Sequence, residues 1–291
     1  MESIIKIFKS VGKTLSETLH QSGEDKISNL KFTTLNLLKI KLRKNKNVRA
    51  FVSNSINEIK YTKHANAPYL VTFSSINNDS YFLNKPFGHI FAIFQYGNNS
   101  NKIYGSKNLV FASYILYSSK SIMVAANHVR VSLLSFNPET KKWDTELEDL
   151  RAFCNSHQLI KTYSINESLQ KEWADFYIHQ FLGKIRETHT LHYINDIVAD
   201  FHTTLLTNGV YINNTLQRSK EGNVHLASEA IPLAYIMTRM SGLTHDGKTN
   251  ILNKPFPTTK NIMRKTPFIA GSSKNMNILL DILNPVLLTF D

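Results

Sequence analysis

The stretch that decides the fold is His192–Leu243, HYINDIVADFHTTLLTNGVYINNTLQRSKEGNVHLASEAIPLAYIMTRMSGL. Tyr193, Ile194, Ile197, Val198, Phe201 and Leu205 recur at helical spacing, which predicts an amphipathic helix with one buried face. Asn208-Gly209 should stop it, because both residues tolerate the left-handed conformation that helix ends often need. A short strand, Val210-Tyr211-Ile212, follows, and then a polar loop containing Gly222. A second helix is expected with Ser228 as N-cap, Pro232 inside its first turn, Ala230, Leu233, Ala234, Met237 and Met240 as its inner stripe, and Gly242 at its end.

The whole chain has 291 residues, enough to bury a large core as one large domain or two smaller ones. A single cysteine, Cys154, excludes an intramolecular disulfide framework and fits a reducing compartment, so a cytoplasmic location is expected. No apolar run is long enough to span a bilayer. The net charge of +12 points to an anionic partner such as a sugar phosphate, a nucleic acid or an acidic surface. No zinc-finger spacing, RNP-like motif or P-loop narrows that choice.

Outward from the opening stretch, Met1–Gln21 reads as an amphipathic helix, too acidic and too poor in arginine for a mitochondrial presequence. Ser22–Asp25 reads as a turn and Asn29–Leu42 as the next helix. The run Lys39–Arg49 is strongly basic; such a run is usually a solvated helix end, and its other use is an anionic docking surface. Ala50–Ser53 and Tyr69–Phe73 read as short buried strands and Phe87–Gln95 as a longer one. Leu109–Tyr117 and Ile122–Phe136 read as a hairpin joined at Ser118–Ser121. Trp143–Leu150 looks acidic and surface-bound. The boundary between halves is placed there, giving 1–150 and 151–291, with the second half opening on a strand, a loop and a helix and closing on a helix at Met276–Leu283.

Several motifs carry a family resemblance. Tyr193-Ile194, Val198-Ala199-Asp200, His202 and Thr204-Leu205-Leu206, then Gly209-Val210-Tyr211, then Ser228-Glu229-Ala230 with Pro232 through Met237 resemble the C-terminal half of fructose-1,6-bisphosphatases and their sedoheptulose-1,7-bisphosphatase relatives. Tyr163–Glu167 (YSINE), Asp246-Gly247-Lys248 and Pro267–Ser272 are similar to further motifs of that family, in the family's order. The resemblance implies an α/β (α+β layered) fold, a five-layer α-β-α-β-α sandwich with an active site between its halves. It also implies a homo-oligomer, dimer or tetramer.

In that family, carboxylates on a few segments hold metal ions that activate water and neutralise phosphoryl oxygens. Set against the family's motifs, those positions hold Lys31, Asn54, Ser55, Ser74 and Asn77, and of the metal shell only Glu229 remains. Neutral Ser and Asn cannot offset the dehydration of Mg²⁺. Any residual metal site would use Glu229 and Asp79. On the substrate side, Asn166 and Tyr193 match family residues, whereas the expected Arg is His192, a later Tyr is Asn213, and a Lys is Asn223. Losing Arg and Lys removes the charge-assisted contacts that phosphate sites depend on.

Other constellations have plainer readings. His192, Asp196 and Asp200 stand at i, i+4, i+8 and would form either a polar helix face or a metal ladder. Cys154 with His157 should be inert, and His64, His89 and His128 should serve packing. No Gly-x-Ser-x-Gly elbow marks a nucleophile.

The expectation is therefore a fructose-1,6-bisphosphatase-like pseudoenzyme with a structural, scaffolding or regulatory role, with no cofactor. The alternatives are an active phosphoric monoester hydrolase on a sugar bisphosphate, using Mg²⁺ at a rebuilt site, and a basic module that docks on RNA or an acidic protein through Lys39–Arg49.

Overall fold

The computed structural model describes residues 1–21, 30–76, 85–96, 106–156 and 159–284. Its first sheet is built from β1 (Val48–Ser53), β2 (Ile56–Tyr61), β3 (Tyr69–Phe73), β4 (Phe87–Gln95), β5 (Leu109–Tyr117), β6 (Ile122–Asn127), β7 (Val131–Asn137) and β8 (Lys142–Leu147), in the order β2-β1-β3-β4-β5-β6-β7-β8. Only β1 and β3 run parallel; every other neighbouring pair is antiparallel. β4 reads as an almost unbroken apolar run because both of its faces are covered. Phe91 and Ile93 face one layer, and Ile90, Ala92 and Phe94 face the other.

On the first of these faces lie α1 (Glu2–Gln21) and α2 (Leu30–Lys44). Ile4, Phe8, Val11 and Leu15 of α1 form a buried stripe at helical spacing. Phe8 stacks on Phe91 with ring centroids 4.5 Å apart. Two polar contacts fix the helix to the sheet: the Ser16 hydroxyl donates to Ser121 (2.8 Å), and the Trp143 indole donates to the Lys9 carbonyl (2.9 Å).

After α3 (Leu150–Ser156) comes a smaller sheet of β9 (Thr162–Ser164), β10 (Thr190–Leu191), β11 (Val210–Asn213), β13 (Gly242–His245) and β15 (Phe268–Ser272), ordered β10-β9-β11-β15-β13. A separate ribbon pairs β12 (Val224–His225) with β14 (Lys265–Thr266). α4 (Phe176–Arg186) and α7 (Ser273–Leu283) cover the outer face of the smaller sheet. Between the sheets lie α5 (Ile197–Leu206) and α6 (Ile231–Arg239), whose Phe201, Leu205, Leu233 and Ile236 pack with residues of both. The layers therefore run α-β-α-β-α, as the resemblance implied.

Several local expectations are corrected. α5 begins at Ile197 rather than Tyr193, because Asn195 is left-handed (φ 69°) and the Asp196 carboxylate caps the N–H groups of Val198 and Ala199. The second helix begins as a π-helical turn, Leu226–Ala230, that runs straight into α6, so Ser228 is buried inside it rather than capping it. Its end is set by left-handed Ser241 (φ 63°), and Gly242 already belongs to β13. The run Ile122–Phe136 is two strands, because the Asn127 side chain accepts from Val129 and Arg130 and folds a turn there. Lys142–Leu147 lies at the surface as read, but as a mostly exposed edge strand of the sheet, anchored by Trp143 against Phe136. The second half opens on helix α3, ahead of its first strand.

Candidate functional site

Glu229 sits in the π-helical turn, nine-tenths buried, where β1, β3 and the β12–β14 ribbon meet. One carboxylate oxygen accepts the Asn54 side-chain amide (2.8 Å), and the other accepts the His225 backbone N–H (2.8 Å). The Asn54 oxygen in turn accepts the Ser75 N–H at 2.7 Å. Burial raises the Glu229 pKa to about 7; the His225 N–H, the Asn54 amide and nearby Lys265 pull the other way, and Asp196 adds to the rise. At neutral pH this carboxyl is poised between its two forms.

The Ser74 hydroxyl is buried and accepts the Ile90 N–H (2.9 Å), prolonging the β3–β4 ladder. Ser55 is exposed in the β1–β2 turn, and Lys31 is exposed in the first turn of α2. Asn77 and Asp79 lie outside the described residues. Among the described residues, no three His, Cys, Asp or Glu side chains gather where they could hold an ion. Magnesium takes six oxygens, several of them anionic. Among the described residues, one carboxylate with both oxygens already hydrogen-bonded does not supply that set.

The substrate-side residues Asn166, Tyr193, Asn213 and Asn223 all line one cavity of about 260 Å³, together with Asn195, Asn214, Asp196 and Asp200. Among the described residues, no Lys or Arg lines it. The Asn166 oxygen accepts from Ser168, capping the short helix Glu167–Glu172, and the Tyr193 hydroxyl donates to Asn195 (2.7 Å). The Asn213 side-chain oxygen is buried there with no hydrogen-bond partner.

The chain before α5 explains the two aspartates. The buried Asp200 carboxylate accepts the N–H groups of Ile194 (2.8 Å), Asn195 (3.0 Å) and Asp196 (3.3 Å). Burial nevertheless raises its pKa, and raises that of Asp196 to about 7. His192, Asp196 and Asp200 form neither one polar helix face nor a metal ladder: His192 precedes the helix, outside the cavity lining, and its Nδ1 is 4.0 Å from Asp200, beyond hydrogen-bond range.

Of the single residues, His89, His202 and Cys154 are packed in the interior, whereas His64 is half-buried and His128 is exposed. Burial lowers His89 to about 3 and His202 to about 4, and each ring faces a buried tyrosine hydroxyl, Tyr117 at 3.3 Å and Tyr114 at 2.8 Å. The buried Cys154 thiol is pushed up to about 11, which keeps it protonated and unreactive. His157 lies outside the described residues.

Residues 157–284 match the family model described as the fructose-1-6-bisphosphatase C-terminal domain. The class 1 fructose-1,6-bisphosphatase of Persephonella marina is 29% identical over 241 residues, 81% of this chain and 73% of that protein. That of Sulfurihydrogenibium sp. is 28% identical over 222 residues, 75% of this chain and 66% of the relative. Among solved structures, Leishmania major fructose-1,6-bisphosphatase in holo form superposes with a TM-score of 0.85 at 17% identity, covering 96% of this chain and 92% of that one. With its layers, its motifs and these matches together, the chain is similar to the fructose-1,6-bisphosphatases in fold and in the sequence of its C-terminal part.

Proposed function

We propose that this protein is a fructose-1,6-bisphosphatase-like pseudoenzyme, retaining the fold in a structural, scaffolding or regulatory role without metal-assisted hydrolysis of a sugar bisphosphate. The observation that carries this reading is the closed hydrogen-bond circuit around Glu229. Its two oxygens are occupied by an amide and a backbone N–H, and the described positions that the resemblance sets against the other ligands hold Lys31, Asn54, Ser55 and Ser74, none of them a carboxylate. Phosphoryl transfer with metal needs converging anionic ligands to hold the ions that neutralise the phosphoryl oxygens. Among the described residues, the adjoining cavity is lined by two Asp and by no Lys or Arg, so it also disfavours a doubly charged phosphate.

The test is phosphate release from fructose 1,6-bisphosphate and sedoheptulose 1,7-bisphosphate with Mg²⁺ or Mn²⁺, beside a Glu229→Ala protein purified identically. No release above that control is expected. Release that disappears with the substitution would overturn the reading and establish the second one, an active phosphatase with a rebuilt site. The names of the relatives favour that second reading.

A further inference from the structure

The segment 214–223 is a wall with a cavity on each side. Asn214 and Leu216 line the amide-rich cavity, whereas Thr215, between them, lines a second and larger cleft of about 790 Å³. That volume lies in the range of small-molecule sites. Among the described residues, the two spaces have opposite charge: the first holds two aspartates and no cation, and the second holds Lys220, Lys248, Lys254, Arg264 and Lys265 against Asp175, Glu221 and Asp246.

Much of the negative charge in the cleft is already engaged. Asp246 pairs with the largely buried Lys254 and accepts the N–H groups of Lys248 (2.8 Å) and Thr249 (2.7 Å). Asp175 accepts the Thr215 hydroxyl. Among the described residues, Lys220, Lys248, Arg264 and Lys265 form no ion pair. They come from three separate segments, and Arg264 and Lys265 are fixed by backbone hydrogen bonds in and beside the β12–β14 ribbon.

The cleft is also lined by an uncharged tyrosine. The Tyr177 hydroxyl is buried without a well-formed hydrogen bond. Burial first, then the Asp175 and Asp246 carboxylates, with a side-chain interaction of the hydroxyl with Asp175, raise its pKa, so it stays protonated. Gly247, at φ +91°, lets the backbone lie against that hydroxyl, since a Cβ there would come within 2.2 Å of it.

We propose that this cleft binds a small phosphate ester, with Arg264, Lys248 and Lys265 neutralising the phosphate. The ester is favoured over a bare ion because the space far exceeds one phosphate and has an uncharged wall of Thr215, Ala174 and Pro267. The site does not depend on whether the chain hydrolyses anything.

The test is calorimetric titration of the full chain with ribose 5-phosphate and, separately, with inorganic phosphate at low ionic strength. One saturable equivalent of ribose 5-phosphate is expected, with inorganic phosphate weaker. The double variant Lys248→Ala/Arg264→Ala should weaken binding about ten-fold or more, since it removes charge-assisted contacts. Both side chains are exposed, so the variant should melt as the native protein does. Asn166→Ala/Asn213→Ala, in the neighbouring cavity, should leave affinity unchanged, as should Arg43→Ala/Lys44→Ala on α2. Weakening by the asparagine pair instead would put the ligand in the other cavity, and equal weakening by the α2 pair would mean diffuse charge. Either result overturns the proposal, as does equal affinity for the two probes or the absence of saturable heat.

Discussion

Asp200 looks like a site carboxylate and serves as a clip. It accepts three consecutive backbone N–H groups and so holds left-handed Asn195 and the cap residue Asp196 in place before α5. Asp200→Asn replaces one acceptor with a donor that faces those N–H groups. A loss of about 1–3 kcal/mol is expected in denaturant unfolding, the cost of leaving buried donors unpaired; an unchanged midpoint would show that the turn holds without its clip. Glu229 makes the pH-dependent counterpart. Its pKa rises from 4.5 in the unfolded chain to about 7 when folded. Below pH 4.5 both states are protonated and the group contributes nothing. Between 4.5 and about 7 the unfolded chain ionises while the native one does not, so stability falls as pH rises, and above 7 the full penalty stands. Relative to Glu229→Gln, the native protein should therefore lose on the order of 3 kcal/mol between pH 4.5 and 8. His89 and His202 act in the opposite sense: lowered to about 3 and 4, they cost stability as pH falls below 6.5. They cancel in this comparison, because both proteins carry them. A stability difference that stays flat across that range would mean the Glu229 carboxyl is not shifted.

At the scale of elements, the approach of α5 to β4 is set by Gly88. A Cβ on that residue would lie 2.4 Å from Val198 Cγ1 and 2.7 Å from the Ile115 carbonyl, so neither neighbour can yield without moving a helix or a strand. Gly88→Ala should cost about 1–3 kcal/mol by overpacking, read as a lowered denaturant midpoint. It should also disturb Asp196, whose carboxylate the Gly88 N–H helps to stabilise. The same element shows what the sequence made legible. Tyr69–Phe73, Phe87–Gln95 and Leu109–Tyr117 are strands with the ends read for them, because burial on both faces leaves an apolar run that few other structures could use. The half-exposed edges were harder: β2 buries only Ile56, and β8 is mostly exposed, so neither carries a clear alternation. Breaks made by one side chain, at Asn127 and Asp196, also escaped the periodicity. Asn166, Tyr193, Asn213 and Asn223 were legible as a group through motif order, and they line one cavity. The cationic cleft was not, because its charges come from three segments with no shared spacing.

At the scale of the molecule, the two sheets come from opposite halves of the chain, residues 48–147 and 162–272, but the core between them belongs to both. α5 and α6 follow the first sheet in sequence, yet Phe201 meets Tyr114 of β5 edge-on and Phe268 of β15 on its other side, while His202 hydrogen-bonds the Tyr114 hydroxyl. A second half cut at residue 150 would keep both helices and expose the face they turn to β4 and β5. A first half so cut would expose one whole face of its larger sheet, including Ile90, Ala92, Phe94 and Tyr114. Neither piece can be expected to hold a native structure, since each loses one side of the largest buried layer. The intact chain should thus unfold in one cooperative step, with calorimetric and van't Hoff enthalpies equal and with the tryptophans Trp143 and Trp173, one in each half, reporting the same midpoint. Replacing Phe201 with Ala should lower that single midpoint, at a cost of about 3–5 kcal/mol, without splitting it. Two separated transitions, or a soluble and folded 151–291 fragment, would show instead that the halves are independent domains that only dock.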